Sequence, residues 1–273
     1  MINLGGLKRK LDLRDIKLGR VQAPVAIPDS YQTDIAWLKP IWQNGEPACG
    51  SHAGTHLKMI LDYFDTGDTG AQYSPEYLWI KVKQIDSYPL EEGTDMRSVF
   101  KVLLSSGVCD YSLLPNSFPD TLADYSSPAK ITPEMDANAQ PRIIKSYAFD
   151  NIGGGTELKQ AIYQNKAVML LLDVGETWWG KETVLPFKNK QGGHFVVAFG
   201  YGGDFIDILD SADQNVPLKT LALDYPIREV GTCVDLPDEV IKAQINKLAM
   251  LQKLVVLYRR LIALLKIARN NSI

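Results

Sequence analysis

The two halves of this 273-residue chain are written in different hydrophobic periods, and that change constrains the fold more than any single motif. From residue 49 onward Ala53, Leu57, Ile60, Leu61 and Phe64 recur at helical spacing, and the pattern stops in the turn-forming run 65–70. Ser74, Pro75 and Glu76 open a second helix, to about residue 85, with a capping hydroxyl, a first-turn proline and an early acid. Asp95 caps a third over 96–105. Past residue 141 the apolar runs are short and bounded by glycine and polar turns, at 143–149, 168–173, 195–200 and 205–209. One helix, capped by Thr156, covers 157–164. A helical half followed by a strand-rich half predicts an α+β protein of two packed lobes, with the cleft between them as the place for a substrate.

The flanks read differently. Residues 1–26 are polar and basic, a leader or short pro-segment ahead of a domain over 27–236. Within that domain the helical lobe spans about 43–130 and the β-rich lobe about 131–232. Five prolines (Pro115, Pro119, Pro128, Pro133 and Pro141) mark 111–141 as a loop-rich connection draped over the surface. Residues 237–273 form an amphipathic helix carrying Ile241, Ile245, Leu248, Leu251, Val255, Tyr258, Ile262 and Leu265. Its apolar face is too wide for solvent. In descending order it packs on its own domain, self-associates, or lies on a membrane surface through Lys253, Arg259, Arg260 and Lys266.

Composition excludes some classes. A net charge of −3 without a basic run gives no reason to expect nucleic acid. Three cysteines are too few, and odd in number, for a disulfide-stapled secreted scaffold. The N-terminus lacks the apolar core of a signal peptide, and no stretch reaches the ~18 apolar residues of a membrane-spanning helix. The expected location is cytoplasmic, with export by another route left open.

Two clusters carry chemistry. Cys49 stands at the start of a helix, where unpaired N–H groups and the helix dipole favour an anion and hence a thiolate. Gln43, six residues earlier across Gly45 and Pro47, can return its amide N–H beside the sulfur. With the Cys49 N–H it makes two donors for an oxyanion. In the second cluster His194 opens an apolar strand after Gly192 and Gly193, which leave room for a substrate backbone. A hairpin then returns Asp210 toward the imidazole.

In order and spacing, Gln43 to Cys49, Gly193-His194 with a later Gly-Tyr, and Ile208-Leu209-Asp210-Ser211 resemble the papain-like cysteine peptidases. Ile27-Pro28 resembles a mature start, and 93–97 before a helix resembles bacterial members. The resemblance covers about 27–232. It implies a papain-like two-lobed fold, with a helical left lobe and an antiparallel β-rich right lobe. It implies peptide or protein substrates and no cofactor or metal. By position it makes Cys49 the nucleophile, His194 the base, Asp210 the orienting group and Gln43 the oxyanion donor. Gly93 and Thr94, with Gly193 and Trp178, are expected to bind substrate.

Three departures stand against the family pattern. Asp210 replaces the usual asparagine, and a carboxylate favours the imidazolium. The tryptophan and glycine that usually follow are missing, so the His194–Asp210 pair is expected to be less shielded from water. Gly50 stands where the family has a bulky residue. A rival alignment places His52 at the nucleophile position, but Gln43 keeps the family's spacing only to Cys49.

Weaker signals have plain explanations. Cys49, His52 and His56 share a helix face, but no fourth zinc ligand is near and the histidines read as structural. The paired Asp-Thr-Gly triplets after the first helix read as a turn. Trp178 and Trp179 pack the lobes or line the cleft. Two further functions fit the same residues: an acyl transferase with an amine as acceptor, and a non-catalytic scaffold assembling through the C-terminal helix.

Overall fold

The computed structural model of the chain describes residues 4–10, 12, 25–117, 121–150, 155–180 and 182–234, all within one compact unit, Met1–Asp235. The helix expected over 237–273 lies outside the described residues, as do residues 13–24 of the expected leader. No helix among the described residues is long and apolar enough to cross a membrane.

In chain order the elements are β1 (Gly6–Leu7), β2 (Ser30–Gln32), α1 (Cys49–Thr66), α2 (Pro75–Lys83), β3 (Thr94–Asp95), α3 (Met96–Ser105), α4 (Leu122–Tyr125), α5 (Pro133–Ala139), β4 (Ser146–Asp150), α6 (Thr156–Asn165), β5 (Val168–Gly175), β6 (Lys190–Gly202), β7 (Phe205–Leu209), β8 (Leu218–Ala222) and β9 (Ile227–Val234). The helix caps act as the sequence predicts. Ser74 accepts from the Tyr77 N–H and Asp95 from the Ser98 N–H, satisfying first-turn donors of α2 and α3. α1 ends at Gly67, whose left-handed φ of 72° lets its N–H close on the Tyr63 carbonyl. α6 differs: Gly155, not Thr156, is its N-cap residue.

The second half folds as one seven-stranded sheet, ordered β4-β9-β5-β6-β7-β8 with β2 against β6 and every pair antiparallel. β5 is buried on both faces, which accounts for its unbroken apolar run. Met169 and Leu171 face the core shared with Leu57, Val99 and Phe100 of the helices. Val168, Leu170 and Leu172 face the other core, beneath Leu158 and Ile162 of α6. Burying each such side chain is worth roughly 1.5–3 kcal/mol, so the sheet is clamped from both sides. The result is the expected α+β arrangement, with a helical layer on one face of an antiparallel sheet.

The connection 111–141 departs from expectation. It holds α4 and α5, and it is partly inserted: Tyr125 is fully buried, and its hydroxyl donates to Asn116 at 2.7 Å. Lys130 and Ser117 both bind the buried carboxylate of Glu76 on α2, at 2.7 and 2.9 Å. Pro128 opens a short 3-10 turn (Pro128–Lys130) and Pro133 opens α5, positions where a missing N–H costs nothing and φ is already set. Read as breakers, they are in fact starters. Strands β8 and β9 also escape a hydrophobic reading, because Lys219, Arg228, Glu229 and Gly231 interrupt their patterns.

Candidate active site

α1 begins at Cys49, and its N-cap Ala48 supplies no capping side chain. The first-turn N–H groups are therefore available to an anion formed at the sulfur. From the facing lobe β6 brings His194, and the β6–β7 hairpin returns the chain so that Asp210 follows the last residue of β7. Asp210 Oδ1 sits 2.7 Å from His194 Nε2. Both side chains are fully buried, as is Cys49.

His194 Nδ1 finds no partner at ordinary hydrogen-bond distance among the described residues and is left to the Cys49 sulfur, which interacts with the ring. Burial alone would push the imidazole toward neutrality. The charge and hydrogen bond of Asp210, reinforced by Cys49, outweigh it and raise the ring to about 10. A histidine held between a carboxylate and the cysteine sulfur can take a proton from the sulfur as imidazole and return one as imidazolium.

Asp210 uses both oxygens. Oδ1 also accepts from the Ala212 N–H at 2.8 Å, and Oδ2 accepts from the Trp178 indole N–H at 2.9 Å. Trp178 is fully buried and meets the His194 ring edge-on, centroids 5.6 Å apart at 85°. Two expectations are corrected here. Trp178 does not line an open substrate surface but lies behind the His194–Asp210 pair, and that pair is shielded from water after all. The shield comes from the turn after β5 instead of from the residues after Asp210, so its sequence position gave no hint. The exposed neighbour is Trp179.

Gln43 is fixed from both ends. Its Nε2 donates to the Glu46 carbonyl at 2.8 Å, and its Oε1 accepts from the Ser211 hydroxyl at 2.8 Å. The Gln43 N–H also donates to the Ser211 carbonyl at 2.9 Å. One Nε2 hydrogen remains for an incoming oxyanion. Ser211, which holds Gln43 in place, is the residue that sequence reasoning missed; it entered there only as the last residue of the run Ile208-Leu209-Asp210-Ser211.

The walls meet a segment of the chain itself. β1 pairs in parallel with β3, Gly6 opposite Thr94 and Leu7 opposite Asp95, and the Thr94 N–H donates to the Gly5 carbonyl at 3.0 Å. A side chain at Gly93 (φ 91°) would overlap the Gly5 carbonyl oxygen, and one at Gly193 the Gly6 carbonyl oxygen. Gly93, Thr94 and Gly193 thus line a slot that accepts a polypeptide backbone. The groove, about 580 Å³, is lined by Leu4 to Leu7 together with Glu176, Trp179 and Gln191. Gly50 is explained by the same crowding: a Cβ there would lie 2.7 Å from the Thr94 methyl carbon.

His52 and His56 are core residues. Burial pushes them down to about 4 and about 3, so both are neutral. His52 Nδ1 lies 3.0 Å from the Ala48 carbonyl, and His56 Nε2 accepts from the Ile41 N–H at 3.0 Å. Among the described residues no group of three or more His, Cys, Asp or Glu side chains is placed to hold a metal ion.

This two-lobed arrangement, with a helix-start cysteine facing a strand histidine, is the fold of the papain-like cysteine proteases. Xylellain, a cysteine protease from Xylella fastidiosa, superposes with a TM-score of 0.73 at 17% identity, over 86% of this chain and 96% of that one. Procathepsin L2 from Tenebrio molitor larval midgut gives 0.61 at 14% identity, over 86% and 76%. ProCathepsin B S9 from Trypanosoma congolense gives 0.59 at 13% identity, over 77% and 78%. No family model matches the sequence, and neither does any curated protein.

Proposed function

We propose that the chain is a cysteine peptidase whose own N-terminal segment occupies its substrate slot. The observation that carries the reading is His194 buried between Cys49 and Asp210. Cys49, as thiolate, attacks a peptide carbonyl. The Cys49 N–H and the remaining Gln43 amide hydrogen hold the oxyanion. His194 delivers its proton to the leaving amine as the thioester forms, then draws a proton from water to hydrolyse it. The structural neighbours, a cysteine protease and two procathepsins, support this assignment.

Gly5 and Gly6 stand between Gly93 and Gly193, where a substrate backbone would run. The full-length chain is therefore the resting form, and activity follows departure of the segment.

The test is labelling of the Gly6→Ala variant, in which the segment should leave the slot, with a peptidyl vinyl sulfone, the modified residue being located by mass spectrometry. Cys49 is expected to react, and Cys109 and Cys233 are not. Reaction at Cys49 no faster than at the other two thiols would overturn the proposal. Ser211→Ala is expected to lower kcat about tenfold with KM little changed, because Gln43 loses the bond that aims its amide. A fall confined to KM would contradict that role.

A further inference from the structure

Lys83 is the last residue of α2, and its ammonium closes the loop that runs from there to Gly93. Nζ donates to the carbonyls of Tyr88 and Gly93, both at 2.9 Å, and to that of Pro89 at 3.3 Å. It also meets Asp86, whose side chain is wholly buried, 3.0 Å from Oδ1. The Trp79 ring centroid lies 5.2 Å away, and the lysine side chain is 5% exposed. Carbonyl oxygens and a carboxylate gathered around one point charge make a cage of the kind that holds a small cation.

The Gly93 contact matters most, because of what lies at the other end of that peptide group. A trans peptide points its carbonyl and its N–H in opposite directions. The Gly93 carbonyl faces Lys83, so the Thr94 N–H faces the slot, where it donates to the Gly5 carbonyl at 3.0 Å. Gly93, at φ 91° and ψ −141°, has no Cβ to resist rotation of that plane. Turned over, the peptide would present an oxygen to the slot and repel the carbonyl of any chain lying there. The ammonium therefore decides which end of the peptide the slot displays. By polarising the carbonyl it also strengthens the N–H as a donor.

We infer that Lys83 is a positioning residue, acting through the Gly93–Thr94 peptide to aim the Thr94 N–H at whatever backbone occupies the slot. In the resting chain that backbone is the N-terminal segment. During turnover it is the substrate, and this half of the inference rests on the peptidase reading.

The experiment is hydrogen exchange followed by NMR on the full-length protein and on two variants. Lys83→Met removes the ammonium. Lys83→Met combined with Asp86→Asn does the same without stranding a buried carboxylate, and serves where the single variant does not fold. Exchange at the Thr94 N–H is expected to rise about tenfold, the worth of one hydrogen bond. Exchange at the Ser98 N–H, which Asp95 caps, should not change. An unchanged Thr94 rate overturns the inference, and so does a rise that Ser98 shares equally, since the wall would then merely have loosened. Kinetics form the second arm, in the Gly6→Ala background. There the loss of Lys83 should raise KM for a peptide about tenfold and leave kcat alone. An unchanged KM, or a loss carried mainly by kcat, contradicts the role. If Gly6→Ala cleaves no peptide while Thr94 exchange still answers to Lys83, the peptidase assignment falls and the positioning of the slot stands.

Discussion

Asp210→Asn is expected to lower kcat/KM by about 10³-fold, even though asparagine is what papain-like peptidases usually carry there. Both Asp210 oxygens are acceptors in this protein, from His194 and the Ala212 N–H on one side and from the Trp178 indole on the other. An asparagine that keeps its oxygen toward His194 must turn its amide N–H against the Trp178 N–H. The flipped amide instead faces the imidazole and Ala212. Either way a donor is stranded in a sealed site, at about 1–3 kcal/mol. The charge that holds the imidazolium is lost as well. The diagnostic is rescue: adding Trp178→Phe, which removes the opposing donor, should recover about tenfold of the loss. If the double variant is no better than Asp210→Asn alone, the two-sided acceptor account is wrong.

The same substitution has a pH signature. With Asp210 in place, His194 is raised from its ordinary 6.5 to about 10. Between those values the folded chain holds a proton that the unfolded chain releases. The stabilisation from this pair is therefore complete below about pH 6.5 and fades as pH rises toward 10. Urea midpoints should fall over that interval in the unmodified protein, and the slope should flatten in Asp210→Asn. The alkaline limb of activity should shift to lower pH in the variant.

Gly6→Ala is expected to raise the activity of the full-length protein by on the order of 10-fold, because a bulkier residue in the segment cannot stay in the slot. A Cβ at position 6 would lie 2.7 Å from the Gly193 carbonyl carbon and the His194 nitrogen, backbone atoms that a buried strand holds in place. Gly193→Ala makes the same collision from the wall side and should expel the segment equally, but it also narrows the slot for every other backbone. Alkylation of Cys49 by iodoacetamide should accelerate in both variants. Peptide hydrolysis should rise only in Gly6→Ala and fall on the order of 10²-fold in Gly193→Ala. Unchanged alkylation in Gly6→Ala would mean that the segment does not guard the sulfur.

Much of this architecture can be read from residue order. The period change at mid-chain, the caps Ser74 and Asp95, and the interval from Gln43 to Cys49 all report local physics, which a sequence carries openly. The hidden parts depend on distant partners. Trp178 reaches Asp210 across 32 positions and Ser211 reaches Gln43 across 168, and neither pairing leaves a periodic trace. β9 was invisible for a related reason: Glu229 is buried against Arg9 from the far end of the chain, which no propensity scale anticipates. The prolines of 111–141 misled because proline both ends helices and begins them.

The bond between Gln43 and Ser211 joins the lobe that carries Cys49 to the loop that carries Asp210. Any hinge motion that pulls the lobes apart must break it, and so must disorient the amide that would receive negative charge. In the proposed peptidase, a gaping molecule would thus be chemically disarmed before it lets go of its cargo, and only a closed grip would cut.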